Sequence, residues 1–73
     1  MLTINEVFKI LNMDAERNAI DRIDVCRNDW CKTWNPNEWE KVLDEVGAGA
    51  TVLKMAFQHS YYDEVNYLWI KVA

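Results

Sequence analysis

The segment DVCRNDWCKTWNPNEW, residues 24–39, constrains the fold of this chain more than any other part of the sequence. It holds three of the four tryptophans, both cysteines and the only proline among 73 residues. Tryptophan is costly to leave in water and is enriched at the hot spots of interfaces. The segment therefore forms either the centre of a small core or an anchor for a partner.

The last part of this segment predicts the start of a helix. Asn35 is a favourable N-cap, the proline after it fits the first helical position, and Glu38 completes a capping box. Trp34 and Trp39 then take the two positions of a hydrophobic staple. We expect this helix to end at Gly47, because glycine readily adopts the left-handed conformation that closes many helices.

Two further helices are expected before this one. Thr3 and Glu6 have the spacing of a capping box, which predicts a first helix over residues 4–12. Asp14 is the natural N-cap of a second helix over residues 15–33. An apolar stripe at steps of three and four supports that second helix. Its members are Ala15, Ala19, Ile23, Cys26, Trp30 and Trp34.

Residues 50–73 fit two interpretations. An apolar stripe from Ala50 to Val72 predicts helix, whereas the alternation around Met55 predicts a strand followed by a hairpin. The intervening HSYYDE lacks glycine and the Asn-Gly type of turn that hairpins favour, so we favour helix. The expected fold is mainly α, a single domain over residues 1–73 with four or five short helices. The alternative is α+β, with three helices followed by a C-terminal β-hairpin at about residues 51–72.

The same patterns predict a core and the state of the cysteines. The expected core residues are Phe8, Leu11, Ile23, Trp30, Trp34, Trp39 and Leu43. On a helix, Cys26 and Cys31 would point about 140° apart, which disfavours a disulfide. We therefore expect two reduced thiols in a cytoplasmic protein. No stretch resembles a signal peptide or a membrane span.

Charge and size limit the classes of partner. The net charge is −4, with 12 acids and 8 bases, which makes nucleic acid an unfavourable partner. A protein with a basic surface would be electrostatically complementary. A core of this size supplies little stability, and this favours dependence on a partner and allows a homodimer.

Residues that could carry chemistry are few. His59 is the only histidine, and its expected role is capping or packing. Cys31, beside Lys32 and one turn after Arg27, could be reactive, but a small buried side chain is the expected role. No metal pattern and no paired acid and base stand out. We expect no enzymatic activity, no cofactor and no bound metal.

Two acidic stretches are the predicted partner-binding residues. The first lies on the helix that starts near Trp39, and the second combines acids with adjacent tyrosines. Adjacent aromatic rings cannot share one face of a helix, so at least one of them should meet solvent or a partner. The predicted contact residues are Glu38, Glu40, Asp44, Glu45, Tyr61, Tyr62, Asp63, Glu64, Tyr67 and Trp69.

Two resemblances suggest functions. Residues 2–13, LTINEVFKILNM, resemble the first helix of the helix-turn-helix in excisionase-like bacterial regulators. That resemblance implies DNA binding by a second helix carrying Arg17, Asn18 and Arg22. In size and acidity the chain resembles inhibitors made by phages and mobile elements, including anti-CRISPR proteins and DNA mimics. We favour this second function, in which a small acidic inhibitor or adaptor blocks a basic or nucleic-acid-binding surface of its partner.

Overall fold

The computed structural model describes residues 1–13 and 19–73, which form an α+β fold. One helix is followed by two strands, a second helical segment and two more strands. The elements are α1 (Ile4–Ile10), β1 (Arg22–Arg27), β2 (Trp30–Trp34), α2 (Trp39–Val42), β3 (Val52–Ser60) and β4 (Val65–Val72). A 3-10 turn (Pro36–Glu38) precedes α2 and a π-helical turn (Leu43–Gly47) follows it. We name residues 36–47 the α2 segment.

The four strands form one mixed sheet in the order β2-β1-β4-β3. β1 runs parallel to its neighbour β4, whereas the two outer strands pair antiparallel with the central ones. Side chains alternate between the two faces of a strand. In β4 this places Leu68, Ile70 and Val72 in the core and leaves Tyr67 and Trp69 half-buried on the other face.

Both helical elements pack on the same face of the sheet. Val7 and Phe8 of α1, together with Val42 and Val46 of the α2 segment, join the buried side chains of β1 and β4 in one cluster. The opposite face carries only half-buried and exposed side chains of the described residues. The sheet therefore has one covered face and one uncovered face.

The expected mainly helical bundle is wrong, and the largest error is the helix over residues 15–33. Its N-cap Asp14 and its first residues, up to Asn18, lie outside the described residues. The rest forms β1 and β2, which are joined by a two-residue turn with Asn28 in the left-handed region, at φ 51°. Ile23 and Val25 are both buried, and this spacing of two puts them on one face of a strand but not of a helix.

The helix starts that the capping residues predict are present in the structure. Thr3 and Glu6 form the expected capping box at the start of α1, with Glu6 N donating to Thr3 Oγ1 at 3.2 Å. At the start of the α2 segment, Asn35 N donates to Glu38 Oε1 at 3.1 Å. The segment ends at Gly47, with φ 99°. The two helix starts and the end at Gly47 depend on neighbouring residues, so the sequence suffices to predict them. The end of α1 at Ile10 comes two residues before the predicted end at residue 12.

The helix favoured for residues 50–73 is also wrong, and the strand interpretation holds for this part of the chain. β3 and β4 are joined by a four-residue loop, residues 61–64, between the paired residues Ser60 and Val65. A loop of this length does not need the Asn-Gly dipeptide of a two-residue turn. The absence of that dipeptide therefore does not exclude a hairpin here.

The assignment of Trp30 to the core is wrong, because its side chain is 39% exposed on edge strand β2. Phe8, Ile23 and Trp34 are buried, and three further residues pack against the core while partly buried: Leu11, Trp39 and Leu43. Trp39 contacts Phe8 edge to face, whereas Trp30 pairs with Trp34. The three tryptophans of residues 24–39 therefore lie at different depths.

The expectation of two reduced thiols is wrong as well. Cys26 and Cys31 form a disulfide, with their Cα atoms 4.1 Å apart. On a helix these two residues would point apart, whereas here they lie directly opposite each other on β1 and β2. The disulfide therefore closes the β1–β2 hairpin on the uncovered face.

Candidate protein-binding site

The tip of the β3–β4 hairpin carries the acidic and aromatic run predicted as a contact surface. Tyr61 is 83% exposed and Tyr62 is fully exposed. Asp63 N donates to Ser60 Oγ at 3.4 Å, and Glu64 takes the left-handed conformation at φ 55°. The loop thus presents two tyrosine rings next to two carboxylates, outside the core.

Hydrogen bonds fix the base of this tip. His59 Nδ1 lies 2.9 Å from Asn66 Oδ1 across the hairpin, and its ring meets Tyr61 edge to face at 4.8 Å. His59 Nε2 also lies 3.5 Å from Glu64 Oε2. The histidine therefore contacts both the residues that flank the loop and the residues that form it.

A polar cleft of about 350 Å³ opens beside the tip, at the end of the sheet where β1 begins and β2 ends. Three carboxylates and one guanidinium group line it, together with Trp34. The charged residues are Asp21, Arg22, Glu38 and Asp63. Acids from three separate parts of the chain thus meet around one opening, next to the exposed tyrosines.

Arg22 holds the inner side of the cleft. Its guanidinium carbon lies 4.4 Å from the centre of the Tyr67 ring, and Nη1 lies 3.6 Å from Asp63 Oδ2. Nε is 3.0 Å from Asp24 Oδ1, but its N–H is not aligned for a hydrogen bond. Because the contact with Asp63 is long and Asp63 is largely exposed, that carboxylate stays accessible to an incoming cation.

Glu38 and Asp21 reach the cleft from ordered positions. The N–H of Asn35 and the ammonium group of Lys41 both donate to Glu38, and these bonds hold the pKa of its carboxyl below the ordinary value of 4.5. Asp21 Oδ2 accepts from Asn66 N at 2.8 Å, and this bond ties the start of β1 to β4. Both carboxylates are therefore positioned before any partner arrives.

The acids predicted on the α2 segment differ in their surroundings. Glu45 forms an ion pair with Lys32 of β2, and Glu38 pairs with Lys41. Glu40 and Asp44 are exposed and form no ion pair with any residue in the described parts of the chain. The α2 segment thus extends the acidic surface away from the cleft through these two residues.

Tyr67 and Trp69, which were grouped with the acids, lie elsewhere. They occupy the uncovered face of the sheet on β4, where Tyr67 is opposite Arg22 and Trp69 is opposite Asp24. Lys54 and Lys71 are paired on the same face. The surroundings of the two rings are therefore more basic than acidic, and Tyr67 is linked to the hairpin tip only through Arg22, which also contacts Asp63.

Sequence reasoning missed the part of the cleft that comes from β1. Asp21 was not among the predicted contact residues, and Arg22 was considered only as a DNA contact on the expected second helix. The signal was present, because Asp21 and Arg22 directly precede the alternating Ile23 and Val25. Reading that alternation as a strand would have placed them at a sheet end.

A reactive thiol at Cys31 and a metal site are the other candidates for chemistry. Cys31 is in the disulfide and is not a free thiol. Within residues 1–13 and 19–73, no three His, Cys, Asp or Glu side chains come together in a way that could hold a metal ion. In the same ranges, no helix has the length and apolar character required to cross a bilayer.

Comparisons with protein-family models, with curated proteins and with solved structures find no match for this chain.

Proposed function

We propose that this chain is a non-enzymatic protein-binding module that uses the hairpin tip and the acidic cleft to bind a basic surface of another protein. The observation that carries the proposal is the position of Tyr61 and Tyr62. Both rings are exposed at the tip, beside a cleft lined by Asp21, Glu38 and Asp63. Tyrosines supply contact area at binding hot spots, and the carboxylates supply electrostatic steering.

The chemistry of the cleft favours an arginine or lysine side chain as its occupant. A guanidinium group can make paired hydrogen bonds to a carboxylate and can stack on an aromatic ring. Asp63 offers an accessible carboxylate, and the exposed rings of Tyr61 and Tyr62 precede it in the loop. Arg22 of the chain already lies near a carboxylate and an aromatic ring, with Nη1 3.6 Å from Asp63 Oδ2 and its guanidinium carbon over Tyr67.

Glu40 and Asp44 support a wider contact for the same partner. Their carboxylates are exposed, and they continue the acidic surface along the α2 segment that begins beside the cleft. Rows of carboxylates can occupy sites where a nucleic-acid-binding protein holds phosphates. We therefore propose an inhibitor or adaptor that blocks such a surface, in the manner of phage and mobile-element inhibitors such as anti-CRISPR proteins and DNA mimics.

A helix-turn-helix contact with DNA does not form part of this proposal. It would require Arg22 on a recognition helix, whereas Arg22 lies on β1 and stacks on Tyr67. The cytoplasmic location stays a prediction. The Cys26–Cys31 disulfide weighs against that location, because structural disulfides persist mainly in oxidising compartments. The homodimer that the small size allows would use a different surface from the acidic one.

Two double variants test the proposal by capture of partners from a lysate of the source organism. Tyr61→Ala with Tyr62→Ala removes the exposed rings, and Glu40→Lys with Asp44→Lys reverses the charge along the α2 segment. We expect both to fold, because all four side chains are exposed, and to lose capture of the same protein. Capture by the unmodified chain should also weaken with added salt, because the contact is electrostatic.

Asp29→Lys is the matched control for the charge change. Asp29 is exposed in the turn between β1 and β2, at the opposite end of the sheet from the hairpin tip. This variant should therefore capture the partner like the unmodified chain. Retained capture in both double variants would contradict the proposal.

A further inference from the structure

The outer edge of the sheet at β3 is long and largely unpaired. β3 is the last strand in the order β2-β1-β4-β3, and it pairs with β4 on one side only. On its outer side, Val52 N donates to Leu2 O at 2.8 Å, next to an isolated bridge between Thr3 and Thr51. Beyond this point, no described residue pairs with the outer side of β3. The free backbone groups of such an edge can pair with another strand.

Exposed apolar side chains concentrate at this same edge. Five of the nine large apolar side chains that are exposed in the described residues lie on β3 or beside it: Leu2, Ile10, Leu53, Met55 and Phe57. Phe57 is 60% exposed and Ile10 is 69% exposed. A contiguous apolar surface of this kind typically marks an interaction site.

The helices leave this part of the sheet incompletely covered. Met55 and Phe57 pair with the buried Ile70 and Leu68, so they point to the covered face of the sheet. Between α1 and β3 a small apolar groove of about 60 Å³ remains, and its lining includes Ile10 and Met55. An apolar side chain from a second molecule at this edge would extend the apolar layer that α1 forms on the covered face of the sheet.

β3 also lacks most features that prevent edge strands from pairing. Val52–Ser60 contains no proline, no glycine and no acid, and Lys54 is its only lysine or arginine. The opposite edge, β2, is shorter and carries Lys32, which forms an ion pair with Glu45. Charged side chains, prolines and short length are the usual protection of an edge, so β3 is the less protected of the two.

We propose that a second copy of this chain pairs with β3, antiparallel and across a two-fold axis near Ala56 and Phe57. The two sheets would join into one of eight strands, with the helices of both copies on the same face. Such an interface is self-complementary, as two-fold symmetry requires. With the axis at Ala56, Met55 of one copy pairs with Phe57 of the other, and each pair lies beside Ile10.

Charge at this edge does not oppose a second copy. The chain carries a net charge of −4, yet β3 contributes no acid to the interface. With the axis at Ala56, Lys54 faces Gln58, and with the axis at Phe57 it faces Ser60. No like charges therefore lie opposite each other in either register. The two hairpin tips would point away from each other, so the dimer leaves both acidic clefts accessible.

Sedimentation of the full chain from micromolar to submillimolar concentration tests this proposal. We expect a species of twice the chain's mass. Phe57→Glu places a charge next to the two-fold axis of each copy and should raise the dimer dissociation constant about 100-fold or more. Ile10→Lys should also weaken the dimer, and it leaves the sequence of β3 unchanged, which separates loss of the interface from damage to the strand.

Asn37→Glu is the control, because it introduces the same charge at an exposed residue of the turn before α2, outside the proposed interface. It should sediment like the unmodified chain. A monomer at every concentration would overturn the proposal, as would a dimer that persists in both Phe57→Glu and Ile10→Lys. Loss of the dimer in Asn37→Glu would also overturn it. Partner capture by the hairpin tip is a separate measurement, so the two proposals can fail independently.

Discussion

Glu38 stabilises the start of the α2 segment and also lines the acidic cleft. A carboxylate that accepts hydrogen bonds in the folded state is a stronger acid there than in the unfolded chain. The lowered pKa of Glu38 therefore adds to the free energy of unfolding in full above pH 4.5, the ordinary pKa of the group. This contribution is lost as the pH falls through the lowered pKa of the folded state. Glu6 is lowered in the same direction by Thr3 at the start of α1.

We predict that Glu38→Gln reduces the loss of stability on the acidic side. The glutamine can still accept from Asn35 N, but it has no charge to lose, so one cause of the pH dependence disappears. Urea unfolding of both proteins at a series of pH values below 4.5 measures the difference. Equal slopes of unfolding free energy against pH would contradict the predicted role of this carboxylate.

At the scale of elements, the β1–β2 hairpin combines a two-residue turn with a disulfide between opposite residues. The bridge closes a loop of residues 26–31 and restricts the unfolded chain. For so short a loop, the chain-entropy estimate of its stabilisation is about 2 kcal/mol. In a domain of this size such an amount is a large part of the total stability.

We predict that Cys26→Ser with Cys31→Ser lowers the free energy of unfolding by about 2 kcal/mol. Thermal or urea unfolding under oxidising conditions measures the loss. With a reducing agent the unmodified chain should lose a similar amount, whereas the variant should not change. Equal stability of the two proteins under oxidising conditions would contradict a stabilising disulfide.

Some of these elements could be predicted from the sequence and others could not. The capping box at Thr3 and the polar start at Asn35 are local, and both helices begin where these residues predict. The stripe over residues 15–33 was misleading, because Ile23 belongs both to that stripe and to the alternating pair Ile23 and Val25. The structure follows the strand period because β1 pairs with β4, whose residues lie 45 positions further along the chain, as in the pair Arg22 and Tyr67.

For the whole molecule, the sequence predicted that a ring in the acidic and aromatic run would meet solvent or a partner, but it did not predict which residues share the cleft. The exposed tyrosines of residues 61–64 were expected, but only the fold brings Asp21 and Glu38 to the same cleft. In the fold, Tyr67 and Trp69 lie on the uncovered face of the sheet, where Tyr67 is opposite Arg22. Neighbours that come from distant strands cannot be inferred when the strands themselves are read as helix.

The acidic surface and the apolar β3 edge lie on different parts of the molecule, and this separation underlies the proposed mode of action. Acids gather at the hairpin tip, in the cleft and along the α2 segment, whereas apolar side chains gather at the β3 edge. A partner could therefore bind the acidic surface while a second copy occupies the edge. Each surface can be changed by substitution without altering the other.

The most direct test of the protein-binding proposal is photo-crosslinking from position 62. A photoreactive residue replaces Tyr62, and a second protein carries the same residue at Asp29 as the control. We predict that position 62 forms a covalent adduct with a nucleic-acid-binding protein in a lysate of the source organism, and that added salt or nucleic acid suppresses the adduct. The absence of an adduct from position 62, or an equal adduct from position 29, would contradict the proposal.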